Sequence, residues 1–263
     1  MGPSADQCLV RHVLTRRLIP CLDTRDGRVV KGRRFVDLRD AGLPADLARR
    51  YDADGADELI LLDVTATPEA RSNALETVRA VREALTIPLT IGGGVRSIAD
   101  AEALLTAGAD KVAVNTAALA DPGLLDELAG RFGRQCVVLA IDAAALPEGG
   151  WRVFAHSGSE ATSREPVEWA VEAEQRGAGE ILLTSIDRDG TGEGFDLALV
   201  RAVSGGIRLP VIASGGASSA DHCLMALEAG ADAVLAASMF HDGEVSIREV
   251  KSFLASHGVE IRQ

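Results

Sequence analysis

The chain has 263 residues, of which 47% are hydrophobic and 25% are charged, and this balance excludes a globally disordered protein. The formal net charge is −12 and only 3% of the residues are aromatic, which argues against a nucleic-acid surface of basic patches and stacking rings. No apolar run is long enough to span a membrane, and the four cysteines lack the CxxC spacing of a disulfide framework or a thiolate metal site.

The first 14 residues precede the first predicted strand. They lack the unbroken apolar stretch of a secretion signal, so we expect the protein to work in the cytoplasm. We interpret residues 1–14 as an N-terminal extension and residues 15–263 as a single domain.

Short apolar runs alternate with longer amphipathic segments along the whole chain. The runs are rich in Ile, Val, Leu and Ala without strict alternation, which is typical of parallel strands covered on both faces. The predicted strands are Arg17–Asp23, Glu58–Val64, Pro88–Gly94, Lys111–Thr116, Cys136–Asp142, Glu180–Asp187, Pro210–Gly216 and Ala233–Ser238. The predicted helices include Thr67–Leu85, Asp100–Ala107, Asp121–Phe132, Pro166–Arg176, Ser218–Ala229 and Ser246–Ser256. Eight β-then-α units predict an α/β fold, the (β/α)8 TIM barrel.

An internal repeat supports a closed barrel over a doubly wound sheet. Gly55 recurs as Gly177 and Gly94 as Gly216, each at a separation of 122 positions (177 − 55 and 216 − 94). The repeat predicts two similar half-barrels of four units each. Two such halves would carry two similar binding sites on opposite sides of one mouth.

Two carboxylates end opposite strands of the predicted barrel. Asp23 ends the first strand and Asp142 ends the fifth, and the strand ends are where barrel enzymes place their working residues. Two carboxylates on either side of a small substrate can divide the acid and base roles. A strand-terminal Asp alone could merely cap the next helix, but the symmetric pair favours catalysis.

Duplicated glycine-rich turns predict two phosphate sites. Gly92-Gly93-Gly94 and Ser214-Gly215-Gly216 each precede a helix-start signal, at Ser97 and Ser218, and glycine lets backbone N–H groups approach an anion. The next strand of each half ends in Asn115-Thr116 or in Ala237-Ser238, which adds hydroxyl and amide donors. The substrate is therefore expected to carry a phosphate at each end.

The connection from Thr24 to Leu43 is long for a loop in a compact domain, and such loops are often functional lids. Its cations suit closure over a polyanionic substrate, with Lys31 as the expected contact.

Four charged residues stand at the starts of predicted strands. Arg17, Glu58, Lys111 and Glu180 would form a salt-bridged ring on the barrel floor, normally a place for stability. Glu58 and Asp63 are five positions apart, so one of them must lie off the interior unless the strand is irregular.

The sequence contains no signature of a cofactor site. The five histidines lack ligand spacing, and no P-loop or dinucleotide fingerprint occurs, so no metal, nucleotide or flavin is predicted.

Several motifs together are specific enough to point to one family. They include Leu18-Ile19-Pro20-Cys21-Leu22-Asp23, Asp26-Gly27-Arg28-Val29-Val30-Lys31-Gly32, Leu61-Leu62-Asp63-Val64-Thr65-Ala66 and Thr184-Ser185-Ile186-Asp187-Arg188-Asp189-Gly190-Thr191. Over residues 15 to 260 the chain resembles the cyclase subunit of imidazole glycerol phosphate synthase. The resemblance implies the fifth step of histidine biosynthesis, in which ammonia from a separate glutaminase subunit passes through the barrel to a bis-phosphorylated substrate. That substrate is phosphoribulosyl-formimino-aminoimidazole carboxamide ribonucleotide (PRFAR).

The resemblance also implies residue roles. Asp23 and Asp142 would be the acid/base pair, and Arg17, Glu58, Lys111 and Glu180, with Asp110, would form the ammonia gate and partner face. The substrate and its phosphates would be bound by Lys31, Gly94, Asn115, Thr116, Thr184, Asp189, Gly190, Gly216, Ala217 and Ser238.

Three alternatives remain open at this point. The isomerase of the preceding step shares the half-barrels and the carboxylate pair, but the Val29-Val30-Lys31-Gly32 segment and the floor charges favour the cyclase. A paralogue could use the same ammonia channel in another pathway, since the Ala41-Gly42-Leu43-Pro44 segment departs from the usual pattern. A silent scaffold that only binds the glutaminase is disfavoured by the retention of both aspartates.

Overall fold

The computed structural model describes residues 15–33, 36–63, 71–241 and 245–262, so that the predicted extension at residues 1–14 lies outside the described residues. The strands are β1 (Arg17–Arg25), β2 (Arg28–Arg33), β3 (Val36–Gly42), β4 (Leu59–Asp63), β5 (Leu89–Gly92), β6 (Lys111–Val114), β7 (Val137–Ala145), β8 (Trp151–Ala155), β9 (Glu160–Ala161), β10 (Glu180–Ser185), β11 (Val211–Ser214) and β12 (Ala233–Ala236). The helices are α1 (Pro44–Ala53), α2 (Arg71–Ala84), α3 (Ile98–Ala107), α4 (Thr116–Ala120), α5 (Gly123–Phe132), α6 (Pro166–Gln175), α7 (Leu197–Gly206), α8 (Ala220–Glu228), α9 (Ser238–His241) and α10 (Ile247–Ser256).

Eight parallel strands close into a barrel, which confirms the predicted fold. Their order around the barrel is β1, β4, β5, β6, β7, β10, β11 and β12, and β12 pairs again with β1. Each lies where one of the eight apolar runs predicts a strand. Strands β1 and β7 are four steps apart in either direction, and their carboxyl ends therefore face each other across the mouth.

Apolar side chains fill two concentric layers. The outer layer lies between strands and helices and includes the fully buried Trp169 and nearly fully buried Tyr51. The inner layer fills the barrel interior and consists of Ile19, Cys21, Ile60, Ala113, Val138, Leu182, Ile212, Ala233 and Leu235. Because side chains alternate along a strand, this inner set identifies which residues face the interior on every barrel strand except β5.

Two antiparallel hairpins extend the barrel strands, and the sequence predicted neither. In the connection from Thr24 to Leu43, β2 pairs with both β1 and β3. The chain reverses between β1 and β2 at Asp26 and Gly27, both with positive φ (50° and 74°), the backbone that an Asp-Gly turn favours. The second hairpin, β8 with β9, pairs with the extended end of β7.

Serine side chains cap two helices at equivalent points of the two halves. Ser97 accepts a hydrogen bond from the backbone N–H of Asp100 at 3.2 Å at the start of α3. At α8 the cap is Ser219, which accepts from the N–H of His222, so the prediction of a helix start at Ser218 is wrong by one residue. The hydroxyl of Ser218 instead donates to the carbonyl oxygen of Gly192.

Among the described residues no helix is both long and apolar enough to cross a membrane.

Candidate active site

Asp23 and Asp142 both face the barrel interior at its mouth. Asp23 shares its strand face with Cys21 of the inner layer, and Asp142 shares its face with Val138. The two carboxylates therefore project from opposite sides of the barrel toward the same space. Each is only partly exposed, since the surrounding strand ends shield it from solvent.

The environment favours the protonated form of both carboxyl groups. Burial, and then the negative charge of Asp189, raises the pKa of Asp23 to about 6, although a hydrogen bond from Cys21 lowers it. The same two causes raise the pKa of Asp142 to about 6, against the lowering effect of a hydrogen bond from Asn115. A carboxyl group with a pKa near 6 can both donate and accept a proton near neutral pH.

Asp189 brings a third carboxylate to the same mouth. It lies in the turn after β10, where its backbone N–H donates to the carbonyl oxygen of Ser185 at 3.0 Å. Its charge acts on both Asp23 and Asp142. Thr184, which shares its strand face with Leu182 of the inner layer, points into the interior below it.

The glycine-rich turns bring backbone very close to neighbouring backbone. Gly93 has a φ of 88°, and a Cβ atom there would overlap the carbonyl oxygen of Asp63. Gly216 has a φ of 98°, and a Cβ atom there would overlap the carbonyl oxygen of Gly194. Both positions therefore require glycine, and each turn leads to the start of a helix, α3 or α8.

Asn115 and Thr116 offer polar atoms at the end of β6. The amide of Asn115 donates to Oδ2 of Asp142 at 2.9 Å, and its buried Oδ1 has no hydrogen-bond partner among the described residues. The hydroxyl of Thr116 accepts from the backbone N–H of His156 at 2.9 Å. This bond leaves the hydroxyl hydrogen of Thr116 available to an acceptor such as a phosphate oxygen.

The other predicted binding residues lie at the same end of the barrel. Gly94 and Gly190 have positive φ angles of 72° and 68°, in the turns after β5 and β10. Ala217 follows Gly216, and Ser238 is the exposed first residue of α9. Lys31 belongs to β2 by its backbone, but its side chain lies outside what the structure describes.

Four charged side chains form a closed ring at the opposite end of the barrel. Arg17 contacts Glu58 and Glu180, each at 2.6 Å, and Lys111 contacts the same two carboxylates at 3.0 and 2.8 Å. Burial alone would raise the pKa of Glu58, but Lys111 and Arg17 more than offset it and hold that pKa below its usual value. The geometry is that of the predicted ring.

Two further acidic residues lie near these sites but outside them, Asp63 at the mouth end of the barrel and Asp110 at the floor. Asp63 shares its strand face with Leu59 and Leu61 of the outer layer, so Glu58 faces the interior and Asp63 does not. Asp110, beside Lys111 on the floor, is exposed and accepts hydrogen bonds from Arg82 and from the backbone N–H of Leu89.

Sequence reasoning missed the contact between Cys21 and Asp23. The sequence pattern was considered only for disulfide and metal-ligand spacing of the cysteines, yet two positions of separation on a strand place the side chains of Cys21 and Asp23 on the same face. The spacing was therefore a usable signal. No group of three or more His, Cys, Asp or Glu side chains within the described part of the chain is placed to hold a metal ion.

Comparisons with known proteins agree on one family. Residues 17–246 match the sequence model of the family described as histidine biosynthesis protein. The chain is 58% identical over 251 residues to the imidazole glycerol phosphate synthase subunit HisF of Hyphomonas neptunium, covering 95% of this chain and 99% of that protein. It is 55% identical over 255 residues to the subunit of the same name from Mycobacterium tuberculosis, covering 95% of this chain and 96% of the relative.

Proposed function

Because the chain belongs to the histidine-biosynthesis family as a cyclase subunit of imidazole glycerol phosphate synthase, we propose that it closes an imidazole ring with ammonia from a glutaminase subunit. The acceptor is PRFAR. The products are imidazole glycerol phosphate and aminoimidazole carboxamide ribonucleotide.

The observation that carries this proposal is the pair of opposed carboxyl groups at the mouth, each with a pKa of about 6. Addition of ammonia, ring closure and cleavage of a C–N bond each move a proton to or from the substrate. A group that titrates near the working pH is suited to this transfer. Asp23 and Asp142 would serve as the acid/base pair, one on each side of the substrate.

The glycine-rich turns support binding of two phosphates. One phosphate would be held by Gly94, Asn115 and Thr116, and the other by Gly190, Gly216, Ala217 and Ser238. Thr184, on β10, and Asp189, in the turn after β10, would contact the middle of the substrate, while Lys31 would close over it from the hairpin. A substrate anchored at both ends presents its centre to the two carboxylates, and this fixed orientation lowers the entropic part of the barrier.

The charged ring supports an ammonia path from the floor. The relatives are named as subunits, which supports a partner chain. We propose that this partner is a glutaminase, that it docks around Arg17, Glu58, Asp110, Lys111 and Glu180, and that the ring gates the entry of ammonia. The three free cysteines described, Cys21, Cys136 and Cys223, fit a reducing cytoplasm.

The test is turnover of PRFAR by the purified chain. With an ammonium salt the chain alone should form imidazole glycerol phosphate, faster at alkaline pH where more free NH₃ is present. With glutamine it should be inactive until the glutaminase subunit is added. Glutamine use by the single chain would contradict the partner proposal, and ammonia-independent isomerisation of the substrate's precursor would favour the related isomerase.

A further inference from the structure

The two halves of the barrel place the two mouth carboxylates in equivalent surroundings. Strand β6 lies beside β7 as β12 lies beside β1. In the first pair Val114 is in register with Leu139, and in the second Ala236 is in register with Pro20. Each carboxylate follows three residues after the second member of its pair, so the halves can be compared position by position.

A neighbouring-strand side chain that donates a hydrogen bond to the carboxylate is present in only the first of these two strand pairs. Asn115, which follows Val114, donates its amide to Asp142 at 2.9 Å. The equivalent residue beside Asp23 is Ala237, whose methyl group cannot donate a hydrogen bond. Asp23 therefore lacks the amide that holds its counterpart.

The second strand pair, β12 with β1, differs in the opposite sense at another position. Cys21, two residues before Asp23, places its Sγ 3.5 Å from Oδ1 of that carboxylate. The equivalent residue before Asp142 is Ala140. Each carboxylate thus has one side-chain donor among the described residues, and the two donors come from non-equivalent positions.

We propose that Cys21 is a positioning residue for Asp23, with its thiol donating to Oδ1 and stabilising the ionised carboxylate in the orientation that the reaction needs. Its role matches that of Asn115 toward Asp142. The kinetic consequence depends on the proposed function, whereas the contact itself does not.

The Cys21 thiol is protonated, as a hydrogen-bond donor must be. Cys21 is 2% exposed, and burial, followed by the charge of Asp23, raises the pKa of its thiol well above the usual value. The thiol therefore stays protonated at neutral pH, so it can donate but does not act as a nucleophile.

Among the described side chains around Asp23, the Cys21 thiol is the one that stabilises its ionised form by a hydrogen bond. Asp189, in the turn after β10, repels the carboxylate. The neighbouring strand β4 and the end of β12 present Leu62 and Ala237 to the interior, and neither can titrate. Asp142 lies across the mouth. A thiol is a weak donor, so a modest effect is expected.

The experiment compares Cys21→Ala and Cys21→Ser with Cys223→Ala in the purified chain. Cys223 is an equally buried cysteine, but it lies on α8 in the outer layer, away from the mouth. The direct readout is the titration of the Asp23 carboxyl by ¹³C NMR. Because loss of the thiol proton removes support for the ionised form, Cys21→Ala should raise the midpoint by about half to one pH unit.

Cys21→Ser keeps a donor of nearly the same size, so its midpoint should lie at or below the wild-type value, and Cys223→Ala should match wild type. With ammonium salt at a fixed concentration of free NH₃, Cys21→Ala should lower kcat roughly three- to tenfold, since one weak hydrogen bond is lost. In Cys21→Ala, the limb of the kcat–pH profile that reports ionisation of Asp23 should shift by the same amount as the NMR midpoint.

An unchanged midpoint in Cys21→Ala, or a raised midpoint in Cys21→Ser, would overturn the proposal. If Cys21→Ala does not fold, the NMR midpoint of Cys21→Ser decides the role of Cys21. Absence of turnover in the wild-type chain would contradict the proposed function, while the NMR titration would still decide the role of Cys21.

Discussion

The Nζ atom of Lys251 lies 2.7 Å from Oδ1 of Asp57, and both side chains are buried. The other oxygen of Asp57 accepts from the backbone N–H of Leu18 at 2.8 Å, while the N–H of Asp57 donates to the carbonyl oxygen of Leu18 at 3.1 Å. Leu18 follows Arg17 and Asp57 precedes Glu58 in the chain. This ion pair therefore ties α10 to the backbone that carries one side of the charged ring.

The first prediction concerns this pair. Lys251→Met leaves Asp57 buried without its cation, so the free energy of unfolding should fall by about 3–5 kcal/mol. Urea unfolding monitored by circular dichroism measures it. Arg131→Met is the matched control, because its contact with Glu102 is exposed and should be worth no more than about 1 kcal/mol. Equal small losses in both variants would show that α10 is not anchored through Lys251.

The second prediction links the site to pH-dependent stability. The folded-state pKa of Asp23 and of Asp142 is about 6, against an ordinary 3.8. The folded chain thus binds more protons than the unfolded chain between these values, so stability falls as pH rises from 3.8 to 6. Above this window each ionised carboxylate costs the folded state on the order of 2–3 kcal/mol.

Asp23→Asn and Asp142→Asn should therefore raise the free energy of unfolding at pH 7.5, and the gain should disappear in acid. Urea titrations at pH 7.5 and below pH 4 provide the comparison. A loss of stability at pH 7.5 would mean that the carboxylates are well solvated or held by stronger partners.

The third prediction tests the charged ring. Lys111→Ala removes one of two cations that contact Glu58 and Glu180. Activity with ammonium should change little, because dissolved ammonia can enter at the mouth. Glutamine-dependent activity in the complex should fall about tenfold, which is a typical size for the energetic coupling between two sites. Alternatively, hydrolysis of glutamine should uncouple from product formation. An equal fall in both activities would assign Lys111 to folding.

The fourth prediction tests one phosphate contact. Thr116→Val removes the hydroxyl while keeping the branched shape, so the KM for PRFAR should rise roughly 10- to 100-fold with a smaller change in kcat. Thr106→Val is the control, since Thr106 is exposed on α3. Steady-state kinetics with ammonium separates the two parameters. A fall in kcat alone would place Thr116 at the reacting atoms instead of at a phosphate.

The barrel and the ring could be predicted from the sequence because both depend on strand periodicity. Parallel strands covered on both faces require apolar runs, and the strand period of two fixes which charges share a face. Arg17 and Asp23 are an even number of positions apart, so both face the interior. The odd separation of Glu58 and Asp63 correctly required one of them to point outward.

The hairpins and one helix cap were harder to predict. The turn of the second hairpin has positive φ at His156, Ser157 and Gly158. Glycine favours this backbone but serine rarely adopts it, so the local signal for a hairpin was weak. Asp26-Gly27 did carry a hairpin signal, but the length of the connection suggested a loop. The cap at Ser219 follows from Ser97 by the repeat itself, which is a stronger guide there than the adjacent Ser218.

The central claim, that Asp23 and Asp142 carry the proton transfers of ring closure, is tested most directly by turnover of PRFAR with ammonium in Asp23→Asn and Asp142→Asn. Loss of one proton-transfer group should lower kcat by about 10²–10⁴-fold in each variant, while the circular dichroism spectrum stays that of the wild-type chain. A near-normal kcat in either folded variant would contradict the assignment of that carboxylate.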